Sequence, residues 1–346
     1  MKVLLINNRF PTKKKPHIAT FIKSIFESIK ASDNNVDLLI SRRNKLKGVA
    51  KLFDSFLFYL QIIFFRNYKN YDVLYINRFN HFGFILSTKI QKNQEVIIHW
   101  HGSELRSMNL LHKFSLRFIK TRYFHIVPSL YYKNLLISKL CINKGNIFIS
   151  PSGGVDFSLF NTGKGACSDT QEVVLGFASG AKKEKGLDLV LQLIKDLNDL
   201  EEQTEKTISF EIIEYGDEIG KLKETEELIN ITLLQPLEKN KMPEFYNNCD
   251  ILLFPTHEES LGLVGLEAMA CNIPVVGTNC TALPEYIISG KTGELFDKGN
   301  YNSFKNAVIQ VITNIQEYSP REFISHYSKD EVVEGYRRIF KEINTK

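Results

Sequence analysis

The sequence predicts an α/β protein built from two doubly wound parallel sheets, and three observations support this prediction. The chain has 346 residues, enough for about two domains of roughly 150 residues each. Short, almost continuously apolar segments alternate with segments whose apolar residues recur at helical spacing, which is typical of parallel sheets covered by helices on both faces. This alternation restarts after the Gly- and polar-rich stretch 160–172, which predicts a linker between the two sheets.

The first series of elements begins with the apolar segment KVLLIN (2–7), a predicted buried strand. The segments 18–29 and 47–65 carry apolar residues at helical spacing and predict helices. Further strands of this first sheet are predicted over 36–41, 72–77, 95–100, 125–129 and 146–152.

The second series begins with VVLGFAS (173–179), a predicted strand, and a predicted helix over 186–197. The last predicted helix, 329–343, has no strand after it. Further strands of the second sheet are predicted over 208–216, 231–237, 250–256 and 273–278. From these series we expect an N-terminal domain over 1–165, a C-terminal domain over 166–325 and a C-terminal helix over 326–346 that packs back toward the N-terminal domain.

The composition is that of a soluble globular protein, with 43% hydrophobic and 24% charged residues, and it excludes a disordered or fibrous chain. The first apolar stretch is too short for a signal peptide, and the longest apolar run, 52–65, is shorter than the about 20 residues that span a bilayer. The five cysteines form no Cys-x-x-Cys pair, so we expect free thiols rather than zinc ligands. Together these features predict a protein of a reducing cytoplasm.

Charge is distributed unevenly along the chain. Residues 1–165 contain 26 Lys and Arg against 8 Asp and Glu, whereas residues 166–346 contain 18 against 31. This contrast indicates two domains that face different partners. A basic half attracts nucleic acid, anionic lipid headgroups or a phosphorylated substrate, and of these we expect no nucleic acid.

The run PTHEESLGLVGLEAMACNIPVVGT (255–278) carries the strongest functional signal. It follows a predicted strand and enters a helix near Gly262, so it presents free backbone N–H groups and the positive end of a helix dipole. Glu259 precedes this turn, and Glu267 lies eight residues later within the helix. The neighbours of Glu267 are apolar or small, so a buried carboxylate there needs a partner. We expect the two carboxylates to contact separate parts of one ligand.

Two other loops follow predicted strands and carry polar residues. The loop 179–186 contains Lys185 next to a glycine at a helix start, which suits a diphosphate because it combines positive charge with amide donors. His101 follows the strand EVIIHW, where a neutral imidazole can donate to a hydroxyl or handle a proton. We expect His99 to point to the opposite face of the strand and to lie in the core.

The segment ESLGLVGLEAMA (259–270) resembles the E-x7-E signature of retaining glycosyltransferases with the two-domain GT-B architecture, of the family 4 or glycosyl transferases group 1 type. Ser260 and Leu261 stand where the family usually has Gly and Phe, and 281–296 is similar to the segment that follows in the family. The resemblance implies a GT-B fold, with two Rossmann-like domains facing each other across a cleft. It also implies transfer of a sugar from a nucleotide-diphosphate sugar with retention at the anomeric carbon.

The resemblance implies roles for the residues of this segment. Glu267 would hold the ribose hydroxyls of the nucleotide, and Glu259 would contact the donor sugar as a catalytic residue. Backbone amides would meet the sugar hydroxyls and the phosphate at Gly262, Leu263 and Val264.

The resemblance extends to the other loops. Lys185 aligns with the lysine that neutralises the diphosphate in the family, and His101 aligns with a histidine that lines the donor-sugar pocket. The resemblance therefore implies a catalytic role for both residues. Ser179 or Gly180 stands where the family has an arginine, so the resemblance leaves compensation to Lys182 or Lys183, which offer point charges in place of a bidentate fork.

Residues on the acceptor side are predicted in the first domain. The loop PTKKKPH (11–17) replaces the glycine-rich loop of the family, and its Lys13, Lys14 and Lys15 are candidates for contact with an anionic acceptor. Ser129 and the segment SGGVD (152–156) resemble short family segments, the latter bordering the cleft or forming a turn.

Two motifs are absent from the sequence, one typical of metal-dependent glycosyltransferases and one typical of nucleoside triphosphatases. The chain contains no Asp-x-Asp pair and no Gly-x-x-x-x-Gly-Lys-Ser/Thr loop. We therefore expect neither a metal ion nor another cofactor. The expected substrates are a UDP- or GDP-sugar and a lipid-linked or surface glycan, as in capsule, exopolysaccharide or O-antigen assembly. A nucleotide-sugar epimerase of the same architecture and a non-catalytic sugar-nucleotide-binding protein remain as alternatives.

A membrane surface is a further predicted partner. Basic residues at 42, 43, 45, 47 and 51 precede the apolar segment LFDSFLFYLQIIFF (52–65). A basic, apolar helix of this kind suits an anionic membrane, although it also suits a helix that covers its own sheet. The region Arg42–Phe65 is thus a candidate for attachment to the inner face of the cell membrane.

Overall fold

The structure is a computed structural model that describes residues 1–11, 19–41, 49–106, 110–163, 171–216, 218, 220, 222 and 230–345. The chain divides into two compact units. Unit 1 comprises Met1–Gly154 and Lys329–Lys346, and unit 2 comprises Val155–Ser328.

Unit 1 is built on a parallel sheet, which has six strands in the described ranges. These are β1 (Lys2–Asn7), β2 (Asn35–Ile40), β3 (Val73–Asn77), β4 (Glu95–His99), β5 (Phe124–Val127) and β6 (Ile147–Ile149). Their order is β2-β1-β3-β4-β5-β6, so the direction of strand addition reverses between β1 and β3. Such a reversal opens a crevice at the carboxyl ends of the strands, where ligands of doubly wound folds bind.

Helices cover both faces of this sheet, as the apolar strands require. In chain order they are α1 (Thr20–Ala31), α2 (Val49–Phe64), α3 (Phe79–Leu86), α4 (Ser103–Arg106), α5 (Leu110–Leu116) and α6 (Leu130–Leu140). Alternate residues of β1 enter two separate cores: Leu4 and Ile6 pack with α2, whereas Val3 and Leu5 pack with α1.

Unit 2 repeats this plan. Its parallel strands in the described ranges are β7 (Glu172–Phe177), β8 (Thr207–Ile213), β9 (Ile231–Leu234), β10 (Ile251–Phe254), β11 (Val275–Thr278) and β12 (Gly293–Phe296). They are ordered β12-β11-β10-β7-β8-β9, which places the reversal between β7 and β10. The helices whose bounds lie within the described ranges are α7 (Leu187–Lys195), α8 (Leu197–Thr204), α9 (Met242–Asn248), α10 (Leu263–Ala270), α11 (Tyr301–Thr313) and α12 (Pro320–Phe323).

The last helix, α13 (Lys329–Thr345), belongs to unit 1, where it packs against α1. Its buried face carries Val332, Tyr336, Ile339, Phe340 and Ile343, a helical spacing that fills the core under β1 and β3. The chain therefore returns to its first sheet after completing the second.

The unit boundaries lie at Gly154–Val155 and Ser328–Lys329, whereas the sequence predicts boundaries after 165 and 325. Contacts within unit 2 explain the difference. Val155 forms a parallel bridge with Ser328, and its N–H donates to the Tyr327 carbonyl at 2.9 Å. Phe160 is fully buried in the same core. Part of the predicted linker thus belongs to the second unit, and 164–170 lie outside the described residues.

Three further features bear on the predictions made from sequence. None of the helices in the described ranges combines the length and apolar character of a membrane span. The described cysteines are free thiols: Cys141, Cys249, Cys271 and Cys280. The predicted helix 186–197 spans Leu187–Lys195 in the structure. It starts after Gly186 because this residue, with a left-handed φ of 74°, is the N-cap.

Candidate functional site

In unit 2, the loops after β7 and β10 leave the sheet at the point where its strand order reverses. The first runs over 178–186 and leads into α7, and the second runs over 255–262 and leads into α10. Because both strands are parallel, their carboxyl ends and following loops lie at the same edge of the sheet. The strongest sequence motifs fall in these two loops.

An ion pair joins the two loops. Lys185 Nζ contacts Glu259 Oε1, although the two residues are 74 positions apart in the chain. Both side chains are largely buried, with 27% and 19% of their surface exposed. A partly shielded pair of this kind holds the ammonium group at a fixed place beside the sheet edge.

The backbones of the two loops also approach closely. A Cβ atom at Gly186 would lie 2.1 Å from the Pro255 carbonyl oxygen, so only glycine fits there. The N–H of His257 donates to the Glu184 carbonyl at 2.9 Å, which fixes the second loop against the short turn that carries Lys185.

A third loop supports Glu259. The N–H of Glu259 donates to the Thr281 hydroxyl at 3.2 Å, and Thr281 follows β11 in a left-handed conformation with φ of 47°. Sequence reasoning places 281–296 near the motif but does not single out Thr281. The uncommon backbone conformation of a β-branched residue marks it only once the structure is known.

The N-terminus of α10 lies next to this pair. Gly262 is its N-cap with φ of 88°, and a Cβ atom there would lie 2.5 Å from the Tyr286 hydroxyl, which donates to the Gly262 carbonyl at 3.2 Å. A glycine cap has no side chain to occupy the first amides of the helix, and the helix itself does not use those of Leu263 and Val264. These amides and the helix dipole suit an anionic or hydroxyl-rich ligand.

Glu267 occupies the second turn of α10 and is partly buried. The Tyr246 hydroxyl of α9 donates to Glu267 Oε2 at 3.4 Å. The positive charge of Lys239, in the turn before α9, lowers the pKa of Glu267. Burial nevertheless dominates and raises the pKa of Glu267 from 4.5 to about 7. Tyr246 and Lys239 are site residues that sequence reasoning missed, because neither lies within a recognisable motif.

The remaining predicted residues of the first loop have differing environments. Lys182 is half-buried, and Lys183 is exposed. Gly180 has φ of 85°, and a Cβ atom there would lie 2.7 Å from the Tyr215 ring. The Ser179 hydroxyl is buried without a hydrogen-bond partner among the described residues.

In unit 1, His101 lies just beyond the carboxyl end of β4 and is buried. Its ring atom Nε2 is 2.7 Å from Oδ1 of Asn77, the last residue of β3. The backbone N–H of His101 donates to Glu104 Oε2 at 3.1 Å. The His99 ring is buried, as predicted, and stacks on the His101 ring with centroids 4.4 Å apart. The prediction that His99 points to the opposite face is therefore wrong, because residues two positions apart on a strand point to the same face. Burial lowers the pKa of His99 to about 3 and that of His101 well below its usual value, so both rings are neutral near pH 7.

Other predicted residues of unit 1 have local structural roles or lie outside the described ranges. Ser129 is the N-cap of α6, where its hydroxyl accepts from the Tyr132 N–H at 3.4 Å. In the segment 152–156, left-handed residues form a turn, and Asp156 accepts from the N–H groups that follow it. The candidates Lys13, Lys14 and Lys15, and the basic residues of 42–47, lie outside the described residues.

No group of three or more His, Cys, Asp or Glu side chains in the described ranges is arranged to hold a metal ion. The charged groups that interact there include the pair of Lys185 with Glu259 and the pair of Lys239 with Glu267.

Comparison with known proteins places this geometry in context. Residues 165–329 match the family described as Glycosyl transferases group 1. Over 194 residues the chain is 26% identical to the capsular polysaccharide biosynthesis glycosyltransferase CapM of Staphylococcus aureus. This alignment covers 52% of the present chain and 48% of CapM. The chain spans about half the length of the curated relatives it matches.

Solved structures resemble the whole chain. Sucrose-phosphate synthase of Thermosynechococcus elongatus superimposes with a TM-score of 0.79 at 15% identity, covering 99% of each chain. The Anabaena protein HepE in complex with UDP and glucose superimposes with a TM-score of 0.73 at 15% identity, covering all of each chain. These likenesses confirm the GT-B fold, with its two Rossmann-like α/β domains, that the sequence predicts.

Proposed function

We propose that the chain is a retaining glycosyltransferase of the family 4 type that transfers a hexose or N-acetylhexosamine from a nucleotide-diphosphate sugar to a hydroxyl acceptor. The observation that carries this proposal is the arrangement in unit 2 of Lys185, Glu259 and the first turn of α10 at one edge of the sheet. These groups provide positive charge, a carboxylate and open amides side by side.

The diphosphate is the natural ligand of the positive groups. The Lys185 ammonium and the helix dipole of α10 would neutralise its charge, and the Leu263 and Val264 amides would donate to its oxygens. Stabilising the departing diphosphate in this way is an electrostatic contribution to catalysis, and we propose that it needs no metal ion or other cofactor. Lys182 and Gly180 lie in the same loop and would complete the contact.

Glu267 and Glu259 would bind the hydroxyl groups of the donor. The ribose hydroxyls of the nucleotide would donate to Glu267, and those of the sugar would donate to Glu259 once the sugar competes for the carboxylate that Lys185 holds. In unit 1, the neutral His101 would bind a hydroxyl of a sugar substrate rather than carry a charge.

Relatives support the choice of substrates. The solved neighbours include HepE with UDP and with UDP-glucose, and CapM is a glycosyltransferase of capsular polysaccharide biosynthesis. We propose a UDP- or GDP-sugar as donor and a lipid-linked or growing surface glycan as acceptor, by analogy with these proteins.

A thermal-shift panel of UDP- and GDP-sugars tests the donor site. We expect one donor to stabilise the wild type and not Glu267→Ala, whereas Glu244→Ala, an exposed carboxylate of α9, should respond like the wild type. Equal stabilisation of all three proteins would place the ligand elsewhere and contradict the proposed site.

We also propose that unit 1 attaches to the inner face of the cell membrane from the cytoplasm. One face of α2 exposes Phe53, Phe56 and Phe64, the last with 71% of its surface accessible. This face continues through Tyr59 and Phe84, whose rings lie 6.5 Å apart, onto α5, where other large apolar side chains are exposed.

Basic residues accompany the apolar face. Arg66, Lys69 and Lys89 line the same surface groove as Ile63 and Phe64. Apolar side chains beside cations suit a bilayer with anionic headgroups, each basic residue near the surface contributing about 1 kcal/mol.

Flotation with vesicles containing phosphatidylglycerol tests this attachment. We expect Phe53→Ser/Phe56→Ser/Phe64→Ser to reduce co-flotation about tenfold, while Ile149→Ser, an exposed apolar residue of β6, leaves it unchanged. Equal flotation of both variants and the wild type would contradict a membrane-binding role for α2.

A further inference from the structure

We propose that Asn77 is a positioning residue that holds His101 as one neutral tautomer, with the proton on Nε2. The role of this tautomer in catalysis rests on the proposed glycosyl transfer, whereas the tautomer itself follows from the geometry of unit 1.

The first observation is the hydrogen bond between the two side chains. His101 Nε2 lies 2.7 Å from Asn77 Oδ1, and an amide oxygen can only accept, so the imidazole nitrogen must donate. A neutral ring with its proton on Nε2 has its lone pair on Nδ1. In this tautomer Nδ1 can only accept a hydrogen bond.

The second observation is that Asn77 is poorly suited to its position on grounds of stability. It ends β3, whose other residues are the buried Val73, Leu74, Tyr75 and Ile76, and it is itself fully buried. Asparagine is depleted in strands, and the Nδ2 group of Asn77 has no hydrogen-bond partner among the described residues. An apolar residue would avoid this unpaired donor but would also remove the acceptor for His101 Nε2, so the presence of asparagine points to that hydrogen bond as its task.

The third observation is that two other aromatic rings pack against the His101 ring. The His99 ring stacks on it at an interplanar angle of 29°, and Phe21 of α1 meets it edge-on with centroids 5.0 Å apart. His99 is held in turn by Tyr75, whose hydroxyl lies 2.6 Å from His99 Nδ1 and 3.0 Å from the Tyr336 hydroxyl of α13. The packing sets the plane of the His101 ring, and Asn77 determines which of its nitrogens carries the proton.

Nitrogen NMR of the histidine-labelled protein, recorded without substrate, tests the tautomer directly. The wild type should show His101, assigned with His101→Gln, as a single tautomer protonated on Nε2. His125 is the internal control, because its Nδ1 accepts from Trp100 Nε1–H at 3.1 Å and should not respond to changes at position 77. A wild-type proton on Nδ1 would overturn the proposal.

Two variants separate positioning from a structural role. In Asn77→Leu the acceptor is lost, so we expect a mixture of His101 tautomers and unchanged His125 signals. The melting temperature should stay close to that of the wild type, because loss of the unpaired Asn77 Nδ2 offsets loss of the acceptor for His101 Nε2. In Asn77→Asp a carboxylate oxygen still accepts, so Nε2 should stay protonated. Wild-type His101 signals in Asn77→Leu would overturn the proposal, as would loss of Nε2 protonation in a folded Asn77→Asp.

Turnover connects the tautomer to function. We expect kcat/KM for the nucleotide sugar to fall about tenfold in Asn77→Leu, the loss expected for one hydrogen bond. Unchanged kcat/KM together with an altered tautomer would overturn the positioning role. A wild type that turns over no nucleotide sugar would instead contradict the proposed function, and the NMR result would stand independently.

Discussion

Glu267 shows at the scale of one residue how a site can be maintained at the expense of stability. Its carboxyl accepts a hydrogen bond from Tyr246 of α9, but burial outweighs this bond and raises its pKa from 4.5 to about 7. A hydroxyl-rich ligand that donates to the ionised carboxylate offsets this effect, because hydrogen bonds favour the charged form. Ligand binding near neutral pH should therefore release a proton from Glu267.

The raised pKa predicts a pH dependence of stability. Between pH 4.5 and about 7 the folded state holds a proton on Glu267 that the unfolded state has lost, so the free energy of unfolding should fall as pH rises through this range. Relative to Glu267→Gln, which does not titrate there, we expect a loss on the order of 3 kcal/mol by pH 8. Urea unfolding at several pH values measures it, and parallel profiles for the two proteins would contradict the assignment.

Lys185 supports a second prediction at this scale. Lys185→Ala should weaken UDP binding by about ten- to a hundredfold, since it removes one charge-assisted hydrogen bond from the diphosphate. Lys195→Ala, an exposed lysine at the end of α7, provides the control for the loss of positive charge. Calorimetric titration with UDP measures both, and equal affinities would exclude Lys185 from the diphosphate site.

At the scale of elements, the entry to α7 depends on a glycine that cannot be replaced. Gly186 and Gly299 have nearly the same left-handed φ, 74° and 75°, but a Cβ atom at Gly186 would strike the Pro255 carbonyl whereas one at Gly299 meets nothing within 4 Å. Gly299→Ala should cost about 1 kcal/mol for the backbone conformation alone, and Gly186→Ala clearly more. Unfolding free energies measure the difference, and equal losses would show that the contact is unimportant.

The elements also show what can be predicted from sequence. The periodicity of apolar residues predicts both parallel sheets, because buried strands and amphipathic helices leave strong local patterns. The motif around Glu259 and Glu267 predicts the loop and helix that carry them. Tyr246 and Thr281 could not be predicted, because each reaches the site through long-range packing that leaves no local signal.

At the scale of the whole molecule, the chain crosses between its two units twice. The predicted boundary at 165 follows a composition change, whereas the structural boundary at Gly154–Val155 follows packing, since the Phe160 side chain completes the core of unit 2. The composition shows where the chain becomes polar, but it does not show which of the two cores an apolar side chain near that point enters. The return of α13 to unit 1 is specified by its apolar stripe.

Hydrogen exchange tests where the donor binds in the whole molecule. A bound nucleotide sugar should protect the amides of 178–186 and 255–265 in unit 2, because these loops would close on the ligand. The α11 helix, on the same unit, is the internal control and should exchange as in the free protein. Protection spread evenly over unit 2 would indicate general stabilisation and contradict the assigned loops.

The central claim, that the chain transfers a sugar from a nucleotide-diphosphate donor, is tested most directly by nucleotide release. The purified chain is incubated with each UDP- and GDP-sugar, with and without candidate lipid-linked or glycan acceptors. We predict that one donor releases its nucleotide only when an acceptor is present, and that Lys185→Ala abolishes this release. Isomerisation of the free donor, or binding without release under any acceptor, would contradict the account and favour an epimerase or a sugar-nucleotide-binding protein.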